Sequence, residues 1–322
     1  MLKTLFTLSF WRESSIYGLR AGFEVLKWML PAVIIARLLQ FWGLDLYLNK
    51  LFMPLMGLMG LPEWTSLVWV TAILANLYAA LAVLAASYIN ESLTIAQMSI
   101  LCTLMLIAHS LPVEGRIAQA LRVRLGFILF IRLATALVIG IILNLFYRAF
   151  DLLQQPINFF WQTNFTQPEG LISLLLAELQ SLSFLFFIVV GLVIVMELLK
   201  EIRVVYYCEL LLQPVLRLLG ISGKLAHIVA VGCLLGLTYG SGLLIAEAKK
   251  HRAYDLAGAT IFISMCHALI EDTLLMVLIG ADLSAVLFAR LLVCSLVVGL
   301  LMRSGAFFYL FIHKVSDKPN SR

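Results

Sequence analysis

The sequence predicts an all-α polytopic membrane protein made of two inverted repeats. Each repeat is expected to hold three transmembrane helices, one amphipathic helix and one re-entrant hairpin. Three observations carry that expectation. First, the 322 residues are 62% hydrophobic and 13% charged, with a mean hydropathy of +1.02. A soluble domain carries about 25% charged residues and could not hide so much apolar surface. Second, the chain resembles itself when shifted by about half its length. Third, its lysines and arginines fall in a few short stretches separated by long basic-free segments.

The self-similarity appears as ordered blocks. A shift of 158 lays His109 on His267, Glu114 on Asp272 and Arg132 on Arg290. Upstream a shift of 160 lays Pro54 on Pro214 and Gly60 on Gly220, and a shift of 161 lays Tyr78 on Tyr239. Small loop insertions produce such drift, and the order of the blocks indicates a duplication. The organisation read from it is an N-terminal interfacial segment (1–20), repeat 1 (21–150), an external linker (151–170), repeat 2 (171–314) and a cytoplasmic tail (315–322).

Each repeat reads as the same series of elements. A long apolar helix opens it (21–42; 171–199). A Pro-bearing amphipathic segment follows (45–60; 204–220). Next come a Gly/Ala-rich apolar stretch (64–88; 225–248), a His-bearing segment (94–122; 253–281) and a final long helix (125–148; 283–312). Basic residues concentrate in cytoplasmic loops. Lys3, Arg12, Arg20 and Lys27 therefore place the N-terminus inside, and Lys314, Lys318 and Arg322 do the same for the C-terminus. Residues 51–115 and 149–199 contain no lysine or arginine, so their loops belong outside.

Stretch 225–248 has basic clusters at both ends, and a span cannot keep both ends inside. A re-entrant hairpin can, with Gly240 and Gly242 permitting the reversal. Two arms of about 11 residues reach about 17 Å, roughly half a bilayer. The matching stretch 64–88 would dip from outside, with its tip near Asn76–Ala80. Three full crossings per copy, an odd number, insert the copies upside down relative to each other.

The segment LIAHSLPVEG lies in the middle of a run too long for a simple span. Pro112 removes a backbone donor and clashes with the carbonyl four residues back, so the helix should break at His109–Leu111. Ser110-Leu-Pro-Val-Glu114 resembles a capped helix start, and residues 113–116 would offer N–H groups to an anion. The second copy, His267-Ala-Leu-Ile-Glu271-Asp272, has no proline but places three ionisable groups within six residues. Both breaks are expected to face the hairpin tips. The substrate- or ion-binding residues are then Asn76, Tyr78, His109, Ser110, Glu114, Thr238, Tyr239, Ser241, His267, Glu271 and Asp272. Arg132 and Arg290 are their charge partners, as counter-ions to the acids or as anion ligands. Ionisable groups inside a membrane are costly and usually functional. The alternative for the histidines and acids is a hydrogen-bonded lock that fixes helix packing; for Asn76 and Ser241 it is satisfaction of hairpin backbone alone. Glu178 has no evident partner in the sequence.

Other chemistries have little support. The five cysteines show no CxxC and no metal-finger spacing, and they read as free buried thiols. The net charge of +5 is spread over loops, with no nucleic-acid motif. No nucleophile–base set or phosphate-binding loop suggests an enzyme, and no resident metal or cofactor is assigned.

HSLPVEGRIAQ (109–119), preceded by NLYAALAVL (76–84), resembles the Gate or nucleoside recognition membrane domain. That family includes concentrative nucleoside transporters, the membrane part of ferrous-iron transporter B and spore-maturation membrane proteins. The resemblance covers nearly the whole chain in two copies. It implies a scaffold, a mobile unit of hairpins and broken helices, elevator-type movement and a homo-oligomer. The cysteine-bearing hairpin pattern of the iron transporter is missing at 74–80, and the nucleoside transporters' Gln/Glu-rich motifs are not evident.

The functional expectation is a secondary active transporter of a small polar or anionic solute, nucleoside-like or an organic anion, coupled to H⁺ or Na⁺. It would sit in a bacterial inner membrane, with lipid and its small-molecule substrate as partners and no nucleic acid. Histidine titrates near neutral pH, which suits proton coupling. The alternatives are a divalent-metal transporter using His109, His267, Cys266, Glu114, Glu271 and Asp272, or a non-transport subunit of a membrane complex.

Overall fold

The computed structural model describes residues 7–87, 93–121, 123–157, 171–201, 204–236, 242–246 and 250–305. Within these, the chain is helical and has no strand, only isolated bridge residues such as the pair Thr94 and Pro156. In the first half the helices are α1 (Leu8–Phe41), α2 (Leu44–Leu58), α3 (Thr65–Leu74), α4 (Leu77–Ser87), α5 (Ile95–Ile107), α6 (Leu111–Ala120) and α7 (Leu125–Ala149). The second half has α8 (Leu171–Glu201), α9 (Val204–Leu219), α10 (Ala226–Leu235), α11 (Ala253–Cys266), α12 (Glu271–Leu278) and α13 (Arg290–Arg303). A π-helical stretch, Ser284–Ala289, leads into α13.

Among the described residues, five stretches are long and apolar enough to cross a membrane: Ile95–Ala120, Leu125–Ala149, Leu175–Leu199, Ala253–Leu278 and Ser284–Arg303. The protein is thus an all-α, multi-pass membrane protein. The first and fourth are the broken rods α5–α6 and α11–α12, and they are the most buried. On α13 and its lead-in, Phe288, Leu292, Leu296 and Leu300 are exposed at four-residue spacing, an apolar stripe suited to lipid.

The first helix differs from the expected division at residue 20. It starts at Leu8 and runs 34 residues without a break. Neither glycine in its first half ends it, because both are contact points with α8. A Cβ on Gly18 would lie 3.1 Å from the Val190 carbonyl, and one on Gly22 would lie 2.6 Å from the Phe186 ring. Ascending positions on α1 thus meet descending ones on α8, so the two long helices run antiparallel. Near the other end Arg37 binds Glu178, donating from Nε at 2.8 Å, with further bonds to Ala86 O and Gln40. Glu178 therefore has a partner that its local sequence does not reveal.

Stretch 64–88 folds as the helix–turn–helix α3–α4, with α3 and α4 packed on each other and the turn at Ala75–Asn76. The turn comes at the start of the expected tip because Asn76 Oδ1 accepts from Ala79 N at 2.8 Å and so begins α4 there. In the second half α10 ends at Gly236 (φ 99). Thr238, Tyr239, Gly240 and Ser241, the expected second tip, lie outside the described residues, as do most of the linker (158–170) and the tail (315–322).

Local geometry recurs between the halves. Ser110 and Ala268, 158 apart, have φ of 47° and 46°, while Gly60 and Gly220 have 68° and 84°. After α2, Leu61 N bonds Met56 O at 2.9 Å; after α9, Ile221 N bonds Leu216 O at 2.8 Å. The turns after α6 and α12 match in the same way, through Val123 N to Ala118 O and Ala281 N to Met276 O.

Candidate functional site

The site grows out of two helix ends. Helix α5 is launched by a capping box between Thr94 and Gln97 and stops at Ile107. Ser110 then takes a left-handed conformation, and α6 restarts with Pro112 in its first turn, where a missing N–H costs nothing. The break therefore falls at Ala108–Ser110, one residue earlier than the expected His109–Leu111, because Leu111 already belongs to α6. It is held from outside: Ser110 N donates to Ala72 O at 2.8 Å and Ser110 Oγ to Ala75 O at 3.1 Å, both at the end of α3. In the second half α11 stops at Cys266, Ala268 takes the left-handed conformation and α12 starts at Glu271. Leu269 N reaches Cys233 O on α10 at 2.6 Å. Each break is thus tied to the helix preceding the expected hairpin tip of its own half.

Two details differ from the sequence expectation at α6. Ser110 does not cap the helix with its side chain, because its hydroxyl is turned to α3. The N–H groups of Val113 and Glu114 donate back to Ser110 O at 3.1 and 2.9 Å. They are spent on the helix rather than offered to an anion.

The breaks bring the two histidines together. His109 Nε2 and His267 Nε2 are 3.1 Å apart. Glu114 Oε1 completes a triangle, 3.4 Å from the first and 3.2 Å from the second. All three residues are buried, 5–9% exposed. Each ring turns its other nitrogen to the carbonyl one helical turn back. His109 Nδ1 faces Met105 O at 2.8 Å, and His267 Nδ1 faces Ile263 O at 3.2 Å. A carbonyl oxygen only accepts, so both Nδ1 atoms carry hydrogen. Two neutral rings would then oppose lone pairs at the Nε2 contact. The triangle of lone pairs and carboxylate calls for a cation at its centre, either a hydrogen shared by the imidazoles or a metal ion.

Both arginines are fully buried and serve the broken ends. Arg132 on α7 donates from Nε to Ile107 O (2.8 Å), from Nη2 to His109 O (3.0 Å) and from Nη1 to Glu114 Oε2 (2.5 Å). Arg290 donates from Nε to Met265 O (2.9 Å) and from Nη2 to His267 O (3.1 Å) and Leu106 O (3.3 Å). The guanidinium forks thus satisfy carbonyls that α5 and α11 leave without intrahelical donors. Of the two roles expected for them, Arg132 fills that of counter-ion.

The other expected residues divide. Tyr78 on α4 donates its hydroxyl to Glu271 Oε1 at 2.8 Å, a further bond between the two halves. Asp272 is buried at the start of α12, 6% exposed. Asn76 caps its own helix. The five cysteines are free. Missed by sequence reasoning were the carbonyl clamp of the arginines and the Arg37–Glu178 pair. The equal spacing of Arg132 and Arg290 from their histidines was the available signal for the clamp.

Among curated proteins, the chain is similar to the uncharacterized membrane protein YvoD of Bacillus subtilis (strain 168). The two are 28% identical over 283 residues, which span 85% of this chain and 89% of that protein. No family model matches, and no solved structure matches.

Proposed function

We propose that the protein is a secondary transporter whose solute binds where the two broken helices meet, at His109, Glu114 and His267. The observation that carries this reading is the 3.1 Å contact between imidazoles from opposite halves of the chain. Buried ionisable groups on irregular backbone are expensive in a membrane, and they are retained where a solute or ion passes. Recurrence of the same bonds about 158 residues apart supports a duplicated, inverted plan, in which such sites sit between the repeats.

The antiparallel pair α1–α8 supplies a long frame. The hairpins and broken rods supply a body that could carry the site across the membrane in elevator fashion, coupled to H⁺ or Na⁺. The reading includes a bacterial inner-membrane location with cytoplasmic termini and assembly as a homo-oligomer. Between solute classes, the arginine geometry favours a neutral or cationic solute over an anion. Of the six guanidinium nitrogens of Arg132 and Arg290, five face carbonyls or Glu114, and Arg290 Nη1 alone among them has no partner in the described residues.

The test is uptake into proteoliposomes under imposed H⁺ or Na⁺ gradients, over a library of nucleosides, organic acids, neutral polar metabolites and metal cations. Gradient-driven uptake that is lost in Glu114→Gln is expected. A folded protein that moves no more of any solute than empty liposomes would reject the reading.

A further inference from the structure

We propose that His109 Nε2, His267 Nε2 and Glu114 Oε1 form a three-ligand site for a divalent transition-metal ion, and that this ion is the transported solute. The second half of the proposal rests on the transport reading above.

Size is the first argument. Metal–ligand bonds of about 2.1 Å, at angles of about 90° to about 109°, hold ligand atoms about 3.0 to 3.4 Å apart. The triangle has sides of 3.1, 3.2 and 3.4 Å. A shared hydrogen accounts for the side between the two nitrogens. It does not require a carboxylate oxygen nearly equidistant from both, whereas a metal ion does.

The surroundings are the second argument. Metal-bound histidines donate their other ring nitrogen to a carbonyl or carboxylate, which fixes the tautomer and aims the lone pair. Both histidines do so through Nδ1, to Met105 O and Ile263 O. Ligating carboxylates are likewise held by a hydrogen bond, and Arg132 Nη1 holds the Glu114 oxygen that points away from the triangle. Every ligand is oriented before any ion arrives.

Ligand type sets the class of ion. Two imidazoles and one carboxylate suit Mn²⁺, Fe²⁺, Co²⁺ or Zn²⁺, whereas Ca²⁺ and Mg²⁺ want oxygen ligands and Cu⁺ wants sulfur. Three protein ligands leave coordination positions open, so the ion is held but not caged. Because one imidazole comes from each half, separating the two breaks withdraws a ligand, which gives a release step.

The test uses the full-length protein, stripped of metal in detergent. Calorimetry with Zn²⁺ and Co²⁺ should show one ion per chain. X-ray absorption at the zinc edge should show nitrogen and oxygen neighbours at about 2.0–2.1 Å and no sulfur at about 2.3 Å. His267→Asn and Glu114→Gln should each weaken binding about tenfold or more. His227→Ala, which removes an exposed histidine paired with Glu209, should bind as the unaltered protein does. No binding by the folded protein, a sulfur shell, or unchanged affinity in His267→Asn would overturn the site. Proteoliposomes carrying a metal-sensing dye separate the two halves of the proposal. Binding without ion flux overturns the cargo assignment and leaves the site standing. Flux of another solute without metal binding overturns the metal inference and leaves the transport reading intact.

Discussion

Arg132 and Arg290 make the same two bonds at the same distance along the chain. Each donates from Nε to the carbonyl 25 residues back and from Nη2 to the carbonyl 23 residues back. They differ at Nη1. Arg132 meets Glu114 there, whereas Arg290 Nη1 is buried with no hydrogen-bond partner among the described residues. Removing one member of a buried ion pair costs about 3–5 kcal/mol, because the other charge is left stranded. Arg132→Gln should therefore lower the unfolding temperature in detergent more than Arg290→Gln does. Equal losses would mean that the Glu114 bond contributes little.

The same asymmetry makes a prediction about the acids. Asp272 stands where the repeat would place the partner of Arg290, but its side chain is one methylene shorter than that of Glu114. Asp272→Glu should reach Nη1 and raise the unfolding temperature by a few degrees. Glu114→Asp should withdraw from Arg132 and both imidazoles and lower it. Thermal unfolding of the two variants side by side reads both signs.

Ala268 adopts φ 46° without being glycine. The left-handed conformation costs an L-residue about 1–2 kcal/mol, which glycine does not pay, while glycine adds entropy to the unfolded chain. Ala268→Gly should therefore stabilise by about 0.5 kcal/mol. Ala268→Val should destabilise. Ser110→Gly should gain less than Ala268→Gly, since it also loses the hydroxyl bond to Ala75 O.

Helix packing between α1 and α8 can be tested at glycine. At Gly22 an added Cβ would lie 2.6 Å from the Phe186 ring, whereas at Gly191 it meets nothing within 4 Å. Gly22→Val should push the helices apart and lower the unfolding temperature by several degrees. Gly191→Ala, on an exposed face of α8, should be neutral or mildly stabilising.

Much of this architecture was legible in residues that break rules. Pro112 inside an apolar run announced the first break, and the repeat carried the hairpin reading from 225–248, where basic clusters flank the stretch, to 64–88, which folds as α3–α4. The second break carries no glycine, asparagine or proline, so its place followed only from alignment with the first half. The start of α1 was hidden because Arg12, Glu13 and Arg20 look like an interfacial segment when neighbouring helices are unknown. Asn76 was open to two readings, ligand or hairpin backbone, because a cap and a ligand use the same atoms; its Oδ1 caps α4. Arginine-to-carbonyl bonds across 23 to 25 residues, and the Arg37–Glu178 pair, depend on tertiary packing that no local pattern encodes.

The central claim is that one buried site is assembled from both halves of the chain, and a cryo-electron microscopy map at side-chain resolution tests it most directly. The account predicts the imidazoles of residues 109 and 267 within about 3–3.5 Å of each other through Nε2, with the Glu114 carboxylate against both. Imidazoles separated by the width of a helix, each facing lipid or its own half alone, would contradict it.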